Sequence, residues 1–182
     1  MKLSIIIISY NEEKYIVDAI KSCLNQKCNF DYEIIIGDDG SNDGSIDVIK
    51  EYSEKYPDII KYFIMDRENV SDVIPSIRVS NVIKRACSIA KGEYITILSG
   101  DDLFVNENKF NLQVNFLDNN SKYSSCYTDF KKFWNDGTEE NCIYKGSDSR
   151  AIFWSGKYVH ISCFMFRKDC VNNILNNAFL MS

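Results

Sequence analysis

The spacing of apolar positions changes several times along the chain, and each change marks an element. Leu3–Ser9 is an unbroken run of mostly β-branched residues. A strand with one wet face alternates, so this run suits a strand covered on both faces, as in a parallel sheet. Ile16, Ala19, Ile20, Cys23 and Leu24 then recur at helical spacing, with Asn11 placed to cap and Glu12 and Glu13 in the first turn, where the helix dipole favours negative charge. The pair of patterns repeats. Residues 33–36 predict a short strand running into Gly37-Asp38-Asp39-Gly40, and Ile46, Ile49, Tyr52 and Tyr56 stripe a helix that stops near Pro57. Residues 60–65 predict a third strand. A helix opening near Pro75 carries Val79, Val82, Ile83, Ala86, Ile89 and Ala90 on one face and ends at Gly92, ahead of a strand at 94–98. Four strands alternating with three helices are the pattern of βαβ units, so the fold class is α/β: a mostly parallel central sheet flanked by helices on both faces.

After Asp102 the pattern loosens. A short helix is predicted at 110–117, a strand at 123–128, a hairpin turning at Asn135-Asp136-Gly137, and another strand at 160–166. The last segment, 169–182, begins a helix that reaches the end of the chain without a cap, as a fragment of a longer protein would. At 182 residues the chain suits a single domain.

A net charge of -5 argues against a nucleic-acid partner, which needs a clustered basic surface. A small anionic ligand would then need a metal ion or a local Arg or Lys. Seven cysteines, an odd number without a Cys-x-x-Cys pair, read as reduced thiols of a cytosolic protein. The apolar run near Met1 is too short for a signal peptide or a membrane span, which makes the expected location cytoplasmic.

In an open parallel sheet, ligands bind beyond the carboxyl ends of the strands, where loops and helix N-termini present unpaired N–H groups. Three polar clusters fall at such ends: Tyr10-Asn11-Glu12, Asp38-Asp39 and Gly100-Asp101-Asp102. Carboxylates gathered on one edge repel one another unless a cation or hydrogen-bond donors compensate. A hard divalent ion prefers oxygen ligands and is commonly held by one or two carboxylates plus water and substrate phosphates, an arrangement that Asp101 and Asp102 offer. Taken alone, an Asp-Asp pair after a strand is a turn or a cap; two such pairs on separate strands favour function.

Other chemistries fail on spacing. Asp39-Gly40-Ser41-Asn42-Asp43-Gly44 begins like a calcium loop, but Lys50 stands where the bidentate Glu belongs. Neither a dinucleotide fingerprint nor a phosphate loop ending in Gly-Lys-Ser or Gly-Lys-Thr occurs. His160 is the only histidine and lacks a nucleophile elbow, so it reads as a strand residue that lines the site or serves the fold.

These residues, taken in order, resemble a known family. Ile6-Ile7-Ile8-Ser9-Tyr10-Asn11-Glu12-Glu13, Leu24-Asn25-Gln26, the run from Glu33 through Asp38-Asp39-Gly40-Ser41 to Ser45, and Ala90-Lys91-Gly92-Glu93-Tyr94-Ile95 leading to Gly100-Asp101-Asp102 are similar to family 2 inverting glycosyltransferases of the GT-A fold. Residues 109–117 and 162–167 resemble it more loosely. The resemblance implies a nucleotide-diphosphate sugar donor, usually a uridine one, and a saccharide or lipid-linked acceptor, with bacterial surface polysaccharide as product. It divides the chain into a nucleotide-binding half, 1–102, and the start of an acceptor-binding half, 103–182. Tyr10 is expected against the nucleotide with Ser9 and Glu12 beside it, Asp39 as the carboxylate that accepts the uracil N–H, and Asp38 as support for the loop. Asp101 is expected on ribose or metal and Asp102 on the metal, Mn²⁺ or Mg²⁺. Arg78 or Asn81 is expected to meet the donor phosphates. A lipid-linked acceptor would bring the full-length protein to the inner face of the membrane as a peripheral protein.

Departures from the family pattern matter as well. The family's acidic motif carries an acid two residues before its final Asp, and here Ser99-Gly100 precede the pair. The family's general base belongs to a later acidic motif, expected beyond Ser182, so the fragment alone should bind nucleotide and turn over poorly. A sugar nucleotidyltransferase would want a basic, Gly-rich loop where Tyr10-Asn11-Glu12-Glu13 stands. The remaining alternative is a non-catalytic nucleotide-sugar-binding module of a larger synthase.

Overall fold

The computed structural model describes residues 1–67, 74–134, 136–143 and 159–171. β1 (Leu3–Ser9) lies at the centre, between β2 (Tyr32–Asp38) and β4 (Tyr94–Ser99), both parallel to it. β3 (Ile60–Ile64) extends the parallel set beyond β2. On the other flank β8 (Phe164–Arg167) pairs antiparallel with β4, and β5 (Ser125–Tyr127) antiparallel with β8, for an order of β3-β2-β1-β4-β8-β5. The mostly parallel sheet is the one expected.

Helices cover both faces. Ile5, Ile7, Ile34, Ile36 and Leu98 share one core with α1 (Ile16–Leu24), α2 (Ser45–Lys55) and α4 (Lys109–Asn119). Ile6, Ile35, Ile95 and Ile97, which alternate with them, share the other core with α3 (Pro75–Ile89). Burial on both faces is why β1 shows no alternation: every pleat position meets apolar neighbours. Gly37 sets how closely α3 approaches, because a Cβ there would stand 2.5 Å from Val82 and 2.7 Å from Phe63.

Local readings needed correction. Asn11 does not cap α1; that helix starts at Ile16 after a turn closed on the Glu12 carbonyl, so Glu12 and Glu13 precede it. α3 buries Arg78, Val82, Ala86 and Cys87, while Val79 and Ile89 are exposed, and it ends at Ile89 rather than Gly92. Val82 fills the space that Gly37 leaves open, and Arg78 turns inward to meet the buried Asp39. β2 runs on to Asp38, and β5 is shorter than predicted. The predicted hairpin is formed by β6 (Phe130–Phe133) and β7 (Glu139–Cys142), with Gly137 at φ 84°; Asn135 lies outside the described residues. His160 precedes a 3₁₀ turn, Ile161–Cys163, and the strand begins only at Phe164. Of the final predicted helix, all beyond residue 171 lies outside the described residues. The seven cysteines are free.

The antiparallel pairing of β8 has a consequence for the site. It sets the amino end of β8 against the carboxyl end of β4, and the Ser99 amide reaches the Ser162 hydroxyl at 3.5 Å. Gly37→Ala should cost about 1–3 kcal/mol in urea denaturation, because the new methyl must displace Val82 or Phe63; unchanged stability would show that α3 can back away freely.

Candidate nucleotide and metal site

β1 pairs Ser9 with Asp38 and Ile8 with Ser99, so the three polar clusters emerge side by side at one edge of the sheet. Their loops are stitched together. Asn11, at φ 55°, donates its amide to Ser41 Oγ (2.9 Å) and accepts the Asn42 amide on Oδ1 (2.9 Å). The Glu12 amide donates to Ser45 Oγ at 2.8 Å. Asp38 is fully buried and takes the Ser41 amide (2.7 Å) and hydroxyl (2.6 Å), a loop-supporting role. Gly40 turns the chain at φ 74°, a conformation with almost no strain only for glycine.

On one side of this edge lies a cavity of about 410 Å³, lined by Ser9, Tyr10, Glu12, Asp39, Arg67 and Arg78 among others. Arg78, on the buried face of α3, grips Asp39 with both arms: Nε to Oδ2 at 2.8 Å and Nη2 to Oδ1 at 2.7 Å. Arg67 adds Nη2 to Oδ2 at 3.0 Å and lays its guanidinium 3.5 Å from the centre of the Tyr10 ring. The buried Asp39 carboxylate is thus met by two guanidiniums. Its Oδ1 takes one donor among the described residues, which leaves a lone pair for a ligand N–H. The Ser9 hydroxyl and Arg67 Nε are buried without a partner among the described residues, the kind of polar remainder that a ligand satisfies.

The other side of the edge is acidic. Burial, and then the charges of Asp101, Asp43 and Asp102, push Glu12 up to about 7. Asp102 Oδ2 accepts the Ser162 hydroxyl at 2.6 Å, and His160 Nδ1 stands 3.2 Å from the same oxygen. With the Ser162 proton committed to Asp102, the hydroxyl oxygen 3.1 Å from Nδ1 is an acceptor too, so a proton on Nδ1 completes the set. The 3.4 Å approach of the Ser162 amide to Nδ1 is long and is the contact given up. Asp101 is exposed.

Among the described residues no three His, Cys, Asp or Glu side chains converge as ligands. The arrangement still fits a hard divalent cation: two carboxylates with oxygen donors only, surrounded by uncompensated negative charge that has already moved Glu12. Asp101, Asp102, His160 and Ser162 also line a second cavity of about 790 Å³, with Phe104, Phe130 and Trp134. Ser99 lines the first cavity and the acidic pair the second, so the end of β4 and its loop serve both.

Ser9, Tyr10, Glu12, Asp39 and Arg78, expected together, do line one cavity, while Asp101 and Asp102 line the other. Asn81 is exposed and outside both. Arg67 was missed, although it follows the third parallel strand and the carboxyl-edge rule applied there would have found it. Ser162 and His160 were under-read because only the pairing of β8 brings them to Asp102.

Comparison with known proteins identifies the lineage. The model of the family "Glycosyl transferase family 2" matches residues 4–175. The chain belongs to glycosyl transferase family 2. An uncharacterized protein of Mycobacterium tuberculosis is 31% identical over 144 residues, 76% of this chain and 38% of that protein. A relative from Bacillus spizizenii, poly(ribitol-phosphate) beta-glucosyltransferase, is 38% identical over 108 residues, 59% of this chain and 16% of that protein. The chain thus spans well under half the length of these relatives. S. aureus TarS 1–349 in complex with UDP-GlcNAc superposes with a TM-score of 0.68 at 22% identity, covering 95% of this chain and 47% of that one. The mannosyltransferase PcManGT from Pyrobaculum calidifontis, in complex with GDP-Man and Mn2+, gives 0.69 at 15% identity, covering 95% and 46%. These likenesses establish the GT-A arrangement for the sheet and its flanking helices.

Two outcomes follow from the electrostatics. A carboxyl whose folded value is raised binds its proton more tightly in the native state, so stability falls as pH rises from about 4.5 through about 7. Glu12→Gln should therefore gain melting temperature over the parent at pH 8 but not at pH 4, and an equal difference at both would contradict the crowding. Arg78→Met should lower the melting temperature by several degrees by leaving the buried Asp39 with Arg67 alone, whereas Arg85→Met, which removes a guanidinium lying over Phe63 on the exposed face of α3, should barely change it.

Proposed function

We propose that the chain is the donor-binding part of a metal-dependent, inverting glycosyltransferase that moves a sugar from a UDP-sugar to a saccharide or lipid-linked acceptor in bacterial surface polysaccharide synthesis. The observation that supports this reading is that the end of β4 and its loop contribute Ser99 to one cavity and Asp101 and Asp102 to the other. One cavity has the size and polarity of a nucleotide slot; the other is wide and aromatic-lined, as a saccharide groove requires.

In this reading the base packs against the stacked Tyr10–Arg67 pair and the Asp39 lone pair accepts the uracil N–H, fixed in direction by Arg78. The free Ser9 hydroxyl meets the nucleoside, and Glu12 stands near it at the acidic edge. Asp101 and Asp102 would hold Mn²⁺ or Mg²⁺ with the donor pyrophosphate. When bound, that ion supplies charge stabilisation for the leaving diphosphate. Ser162 and His160 hold the Asp102 carboxylate in place. Residues 1–102 form the nucleotide-binding half and 103–182 the start of the acceptor half. The names of teichoic-acid-related relatives support a wall polymer as the product class.

A ligand bound only by the native state at one hundred times its Kd adds about 2.7 kcal/mol, so saturating UDP with Mn²⁺ should raise the melting temperature by roughly 5–10 °C. Asp39→Ala should remove the shift and Asp102→Ala should remove its dependence on the metal. An unchanged shift in both variants would exclude this site. Sugar transfer measured on the full-length protein, with and without Mn²⁺, separates an enzyme from a binding module.

A further inference from the structure

The second cavity holds a cation that the donor chemistry does not use. Lys109 opens α4, is only 7% exposed, and lines the groove. Its ammonium donates to Gln113 Oε1 at 2.6 Å and lies 4.8 Å from the Phe104 ring and 5.7 Å from that of Phe110. Among the described residues no carboxylate is within ion-pair distance of it. The two other groove lysines, Lys131 and Lys132, are paired with Glu139 and Glu140. A buried ammonium with three donors and one neutral acceptor is an expensive arrangement, and replacing it with an apolar chain is often neutral or stabilising. Burial pulls its amine down to about 8, the response of a cation without a counter-charge.

We propose that Lys109 is the recognition point for an acceptor that carries phosphodiesters, its ammonium pairing with a phosphate seated at the floor of the groove beside the acidic pair. This rests on the reading of that groove as the acceptor side. Asp101, Asp102 and Asp129 also line the groove, so their field disfavours an anion there except against this ammonium. The arrangement thereby selects where along a polyanionic chain the phosphate stops, which sets which hydroxyl is offered at Asp102. Gln113 holds the ammonium in place, and its own Nε2 donates to the Cys163 carbonyl at 3.1 Å, next to the Ser162 that fixes Asp102.

The test is calorimetry with excess UDP present, so that the nucleotide slot cannot account for the heat, using bis(glyceryl) phosphate, inorganic phosphate and glycerol as probes on the parent and on Lys109→Met. The diester should bind the parent at least tenfold more tightly than glycerol, and Lys109→Met should lose that preference while binding UDP as the parent does. Inorganic phosphate binding more weakly than the diester, and lost with it in Lys109→Met, supports the proposal; inorganic phosphate binding alone, with the diester rejected, overturns it. Equal diester binding by both proteins overturns it too. Because a variant can misfold, the ¹³Cε signal of Lys109 is followed in the parent: it should shift with the diester and not with glycerol, and an unmoved signal is a refutation. Failure of UDP to bind the parent would instead strike the nucleotide reading.

Discussion

Everything at the site depends on β1 being paired in parallel on both sides. That pairing sets Ser9 beside Asp38 and Ile8 beside Ser99, so three loops distant in sequence leave the sheet at the same edge. Since both faces of β1 are buried, a slip of one residue would not expose a polar face, and alternation cannot be what holds the register. Contacts beyond the strand ends do: the bonds from Asn11 and Glu12 to Ser41, Asn42 and Ser45. The same bonds that shape the slot therefore also lock the sheet.

Charge along that edge is divided unevenly. Asp39 is met by two guanidiniums and Asp38 by a serine, so the half under α3 is compensated within the protein. Glu12, Asp101 and Asp102 have no such cations among the described residues, and burial together with the neighbouring carboxylates raises Glu12. The compensated half suits a neutral base read by fixed hydrogen bonds; the uncompensated half suits a cation and the phosphates it carries. One edge of one sheet thus offers the two environments that a nucleotide-sugar needs.

Much of the fold was legible because its signals are local: unbroken Ile runs for buried parallel strands, and helical stripes between them. What failed were positions decided by long-range packing. The side of α3 that turns inward seats Val82 over Gly37 and carries Arg78 to the buried Asp39, a long-range pairing that no periodicity reveals. Asn11 looked like a cap because its residue type suits one, yet its side chain serves a neighbouring loop. The carboxyl-edge rule located Tyr10, Asp39 and Asp102 correctly, and applying it to β3 would have added Arg67. His160 and Ser162 could not be placed from spacing, since the link from β4 to β8 crosses about sixty residues.

The most direct examination of the central claim is Mn²⁺ paramagnetic broadening of amide signals in the presence of UDP. If carboxylates from separate loops grip one ion at this edge, signals of Glu12, Asp101, Asp102 and Ser162 should broaden together at substoichiometric Mn²⁺, while those of Tyr56 and Asn119 stay sharp. Broadening confined to some other face of the molecule, or spread evenly over its acidic surface, would contradict the account.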